Sequence, residues 1–176
     1  MPRSRPLIRA DLDAIPDDGH RYELIDGALI VTPAPSAPHQ DAVLALAVLL
    51  REHCPADLKV KIAPFDVALS NNTVMQPDVL VARRPDVTHR DLPVAPVLAV
   101  EVLSPSTRHI DLMLKRARYE VAGCGSYWVV DPIELSIVAW DLRDGSYVEA
   151  GSAKSDDEYA AALPFPVTVR PSSLVV

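Results

Sequence analysis

One run of eight residues, Val97-Leu98-Ala99-Val100-Glu101-Val102-Leu103-Ser104, constrains the fold more than any other. Valine and leucine lie on both sides of Glu101, so the run has no wet face, and Pro96 and Pro105 close it at either end. It reads as a strand covered on both sides. A carboxylate in such a strand costs several kcal/mol unless it is protonated, ion-paired or bound to a cation. The stretch Thr73 to Ala82 repeats the problem: Asp78 follows Pro77 inside an apolar β run. Two acids on two apolar strands joined by a short connection are positioned to converge on one cation.

The rest of the chain supports an α/β domain with a central mixed sheet and flanking helices. Residues 1–20 are rich in proline and acid and read as a flexible arm with one helical turn near Asp11 to Ile15, followed by a single domain over 21–170 and a tail over 171–176. Asp26-Gly27 between Arg21 to Ile25 and Ala28 to Val31 predicts a hairpin on a type I′ turn. Glu23 in that hairpin lies on either face. Ser36 to Cys54 predicts a helix with Val43, Leu46, Ala47 and Leu50 on its apolar stripe, and His39 one turn earlier. Leu58 to Leu69 and Thr73 to Ala82 predict two strands, and the stretch from Arg83 to Pro96 a loop. Ser104 to Thr107 breaks the Glu101 strand and starts a helix over about Arg108 to Ala122, with Ile110, Met113, Leu114, Ala117 and Val121 as its core stripe. Lys115 lies off that stripe, between Asp111 and Tyr119. Ser126 to Pro132, Leu135 to Trp140 and Ser146 to Glu149 predict an antiparallel meander, with an edge hairpin over 157–169.

Charge and composition exclude several classes. The longest apolar run, Val43 to Leu50, is too short to cross a membrane. The basic start leads into Asp11, Asp13, Asp17 and Asp18 rather than an apolar core, so no signal peptide is read and a cytoplasmic location is expected. Cys54 and Cys124 have no spacing for zinc or a disulfide framework. A net charge of −7 argues against coating nucleic acid by bulk electrostatics, although Arg83 to Arg118 carries +3 against −10 elsewhere.

An acid, a second acid on a buried strand and a lysine on the next helix outline a divalent-metal phosphodiesterase. Two carboxylates and a backbone carbonyl suit Mg²⁺ (or Mn²⁺), and a lysine there orients or deprotonates the attacking water. An ordinary surface ion pair with Asp111 accounts equally well for Lys115.

The strings Tyr22-Glu23-Leu24-Ile25-Asp26-Gly27, Gln76-Pro77-Asp78-Val79, Glu101-Val102-Leu103-Ser104-Pro105-Ser106-Thr107, and Tyr127-Trp128-Val129-Val130-Asp131-Pro132, with Asp111, Lys115 and Tyr119, resemble the Uma2 family over about residues 20–142. That family is placed in the PD-(D/E)xK restriction-endonuclease-like superfamily. The resemblance implies a restriction-endonuclease-like fold and Mg²⁺-dependent hydrolysis of DNA. It implies Asp78, Glu101 and the Val102 carbonyl as metal ligands, Glu23 as an upstream acid, Lys115 as the catalytic lysine, and His39, Gln76 and Tyr119 as accessory residues. The superfamily lysine two residues after the acid is Leu103 here, so the role moves to Lys115, with Lys61 as the fallback. Cutting both strands further implies a homodimer. Two rivals stay open. One is a catalytically silent domain that binds nucleic acid or protein. The other is a structural dimerisation module in which arginines, Arg108 or Arg118, satisfy the acids.

Overall fold

The computed structural model describes residues 5–175; residues 1–4 of the N-terminal arm and Val176 of the tail lie outside the described residues. A short helix α1 (Arg9–Asp13) precedes the hairpin of β1 (Arg21–Ile25) and β2 (Ala28–Thr32). Asp26 and Gly27 take φ of 53° and 79°, the left-handed pair that a type I′ turn requires. The segment before β1 is tied to this sheet, since Leu7 N–H donates to Gly27 O and Arg9 N–H to Asn71 O.

Helix α2 (Ala37–His53) buries Ala42, Leu46 and Leu50 on one face. The two runs expected between Leu58 and Ala82 are four strands: β3 (Leu58–Ile62), β4 (Asp66–Ser70), β5 (Thr73–Met75) and β6 (Val79–Arg83). Each run leaves one sheet and enters another, and a proline stands at each exchange: Pro64 between β3 and β4, Pro77 between β5 and β6. Proline lacks the N–H that would continue a ladder, so these are the points where the strands come apart. The expected loop from Arg83 to Pro96 holds a short strand β7 (Asp91–Leu92), which pairs in parallel with β4.

Strand β8 (Leu98–Val102) is buried at every residue. Its alternation separates two cores. Leu98, Val100 and Val102 pack with Leu46 and Leu50 of α2. Ala99 and Leu103 pack with Ile25, Met75 and Tyr119 on the other face. Glu101 shares the parity of Ala99 and Leu103, so it enters the second layer, between the sheet and the helix that follows.

That helix departs from expectation. Residues Ile110–Lys115 form a π-helical stretch that runs into α3 (Arg116–Ala122), and Gly123 ends it at φ 84°. Met113 is 58% and Val121 78% exposed, whereas Asp111, Lys115 and Tyr119 are buried. These residues, each four apart, share the inner face, where Lys115 meets the carboxylates of β1 and β8.

After α3 the chain returns as β9 (Ser126–Asp131), parallel to β8, then β10 (Ser136–Arg143) and β11 (Ser146–Lys154). The large sheet has the order β11-β10-β9-β8-β6-β3 and the smaller β2-β1-β5-β4-β7. A separate hairpin, β12 (Tyr159–Ala161) with β13 (Val167–Val169), covers the α2 side. No helix among the described residues is long and apolar enough to cross a membrane.

Both cysteines are free thiols. Burial pushes the Cys124 thiol up to about 12, so it stays protonated and unreactive in the native state. Ellman's reagent at mildly alkaline pH should therefore titrate Cys54 alone in the folded protein and both thiols after denaturation. Rapid reaction of two thiols in the native protein would contradict the packing around Cys124.

Candidate active site

Five elements bring charged side chains to one place. Strand β1 supplies Arg21 and Glu23, two residues apart and therefore on one face. The first turn of α2 supplies His39, the residue before β6 supplies Asp78, β8 supplies Glu101, and the π-helical stretch supplies Asp111 and Lys115.

Lys115 is the hub. Its Nζ lies 2.9 Å from Glu23 Oε1, 3.2 Å from Glu101 Oε1 and 3.5 Å from Asp111 Oδ1. Asp111 also accepts the Thr107 hydroxyl at 2.8 Å. Burial alone would lower the Lys115 ammonium's pKa, but Glu101, Glu23 and Asp111 outweigh it and raise the value above the ordinary lysine range. Lys115 is thus held here as a cation, a donor and a positive charge set among the acids.

Asp78 sits beside this hub with its own partners. The register Val79↔Val100, extended by two residues, places Pro77 opposite Val102, and proline has no N–H to exchange. The Val102 N–H donates instead to Asp78 Oδ2 at 2.8 Å. His39 Nε2 lies 3.3 Å from that oxygen, and Arg21 Nη1 lies 3.0 Å from Oδ1. Burial would raise the Asp78 pKa, but the hydrogen bond from His39 and the charge of Arg21 pull it below the ordinary carboxylate range. Glu101 moves the opposite way. Burial raises it well above that range, and Lys115 only partly offsets this. Two neighbouring carboxyls with pKa values driven apart are characteristic of functional sites.

The charges do not balance. Four buried carboxylates, Glu23, Asp78, Glu101 and Asp111, surround the cations of Lys115 and Arg21. With His39 neutral, the fully ionised cluster carries a formal excess of two negative charges. Glu23 Oε2 is also buried with no hydrogen-bond partner. Such an excess suits a divalent cation. No three His, Cys, Asp or Glu side chains among the described residues form a metal-sized group. Two buried carboxylates, Asp78 and Glu101, with backbone carbonyls and water are the kind of hard-oxygen donors that Mg²⁺ accepts. The Val102 carbonyl faces the same strand edge as its N–H, toward Asp78. A cavity of about 250 Å³, lined by Arg21, His39, Asp78, Val102, Ser104 and Thr107 among others, opens there, with room for a hydrated ion at about 30 Å³ per water.

The structure thus gathers Glu23, Asp78, Glu101, Lys115 and His39. Gln76 joins through its backbone, whose N–H donates to Glu23 Oε1 at 2.6 Å. Tyr119 stands in the core against Tyr127, ring centroids 5.5 Å apart, with its hydroxyl unpartnered. Lys61 lies elsewhere, its ammonium 5.1 Å over the Phe65 ring. Arg108 pairs with Asp131 and Arg118 with Asp26, so neither serves the central acids. Arg21 is the arginine that does, and the sequence reading passed over it. Its signal was present: Arg21 and Glu23 stand at i and i+2 of one strand, so an inward glutamate carries the arginine inward with it.

The Uma2 family model, described as "Putative restriction endonuclease", matches residues 9–171. No curated protein matches the sequence. A crystal structure of "a putative nuclease belonging to DUF820" from Anabaena variabilis superposes with a TM-score of 0.75 at 15% identity, covering 96% of this chain and 97% of that one. At that identity the likeness speaks for the fold, which is restriction-endonuclease-like.

Proposed function

The chain belongs to the Uma2 family of restriction-endonuclease-like proteins, and from that premise we propose that it is a Mg²⁺- or Mn²⁺-dependent endonuclease hydrolysing DNA phosphodiester bonds at the Asp78–Glu101 centre. The observation that carries this reading is the buried anionic excess beside a cavity lined by Arg21 and His39.

Asp78, Glu101 and the Val102 carbonyl would hold the metal, which supplies Lewis acidity at phosphorus and eases the ionisation of water. The chain's own groups do the positioning. Lys115 fixes Glu101 and Glu23 in place and offsets the charge that develops during in-line displacement. Arg21, a cation, and His39 both line the cavity and are the groups that can receive a phosphate. His39 Nδ1 has no partner in the protein, so that nitrogen is available to a substrate or to water. Cutting both strands of a duplex would need two such centres, and hence a homodimer.

One observation favours the silent binding module instead: Asp78 pairs with Arg21, and Glu101 with Lys115, so cations of the protein already answer both acids. Incubation of supercoiled and single-stranded DNA with Mg²⁺, Mn²⁺ or EDTA separates the two. Metal-dependent nicking that EDTA abolishes is the expected result. An inert protein that still binds Mn²⁺ in calorimetry would replace the enzyme with the binding module.

A further inference from the structure

A second and larger cavity adjoins the first. It encloses about 760 Å³ between α1, β1, α2 and β3, and shares Arg21, His39 and Asp78 with the smaller one. Leu12, Ile15, Val43, Leu44, Ala47 and Ile62 line it. Leu44 and Ile62 remain largely exposed. Apolar walls of this size beside a charged centre mark a ligand pocket.

Its polar groups narrow the ligand class. Gln76 lines the cavity, and its Nε2 donates to Asp66 Oδ1 at 2.8 Å. Because a carboxylate only accepts, the amide orientation is fixed. Gln76 Oε1 is left buried and without a partner, as are His39 Nδ1 and Arg21 Nε. A buried acceptor without a donor is costly and invites one from a ligand. Asp13 and Asp17 also line this cavity, and their charge repels a phosphate. The occupant therefore has apolar faces, an N–H-bearing edge and no negative charge, yet connects to a group that Arg21 and His39 would hold.

We infer that the larger cavity is a nucleobase subsite, and that the substrate enters as an unpaired strand with one base in this pocket beside the phosphate at Arg21 and His39. This rests on the nuclease reading for the identity of the ligand. A base stacked and paired in a duplex presents no free faces, so it must leave the helix to enter. The net charge of −7 agrees, since it gives little attraction to a long duplex surface.

The test is fluorescence anisotropy of a short end-labelled DNA strand and of the same sequence as a duplex, in EDTA, so that no turnover is needed. The single strand should bind at least about fivefold more tightly than the duplex, the scale of one buried base. Ala47→Trp, which fills the pocket, and Leu44→Asp, at an exposed position that the fold tolerates, should each remove that preference. Equal binding of strand and duplex, or variants that both bind like the wild type, would overturn the subsite. The two proposals fail separately: a chain that prefers single strands but never nicks DNA loses only the nuclease reading, and one that nicks plasmid without that preference loses only the base pocket.

Discussion

Lys115→Met should lower the stability of the protein by about 3–5 kcal/mol near neutral pH and abolish nicking, although methionine nearly matches the volume of the lysine chain. Lys115 is 2% exposed and touches Glu23, Glu101 and Asp111. Removing the cation these three buried carboxylates share takes away the ion-pair partner of Glu101 and Asp111, the costly way to break a buried ion pair. The loss should depend on pH with a definite sign. Burial already raises Glu101 and Asp111, and Lys115 is what restrains them. Without it their folded-state values rise further above those of the unfolded chain. The folded variant then retains protons that the unfolded chain releases, and its stability falls as pH climbs through the raised values. Urea unfolding in metal-free buffer at about pH 5 and about pH 8 should show the smaller deficit at the acid end. A deficit equal at both would mean that these carboxyls are not ionised around Lys115.

The same side chain shows where reading the sequence succeeds and where it stops. The apolar run around Glu101 specified a doubly covered strand, and Asp26-Gly27 specified its hairpin, because local backbone chemistry decides both. Asp78 and Glu101 were visible as charges out of place. The helix after β8 was misread, since a hydrophobic stripe through Met113 and Val121 is the right inference only when polar residues face water. Here the carboxylates of other strands make the inner face polar, and nothing within the helix itself states that. The exchange of strands between sheets at Pro64 and Pro77 was equally hidden. A proline announces a break in a ladder, but not which sheet receives the chain next. Arg21 was overlooked because its partner, Asp78, lies 57 residues away.

Asp78→Asn should reduce metal-dependent cleavage about 10³-fold, the upper end of what loss of one group from a preorganised electrostatic site removes. Asp78 is the point where the two cavities and the buried cluster meet. Its carboxylate accepts from Val102, Arg21 and His39 together, and these partners hold it ionised despite its burial. Asparagine keeps the shape, but one of its two terminal atoms becomes a donor among donors. The variant therefore loses both the anionic ligand for a metal and the anchor that holds Arg21 inward. Arg21 then turns toward Glu23, 4.0 Å away, or toward bound phosphate. Removing a like charge beside a phosphate is worth about 1 kcal/mol in a wet cleft, so single-stranded DNA in EDTA should bind the variant several-fold more tightly even as cleavage disappears. That opposition is the useful result. A domain that only binds DNA would show tighter binding with no cleavage to lose, and a nuclease whose metal sits elsewhere would keep cutting. Cleavage that persists in Asp78→Asn while Glu101→Gln is inert would move the metal toward Glu23 and Glu101, where Glu23 Oε2 is the unpartnered oxygen.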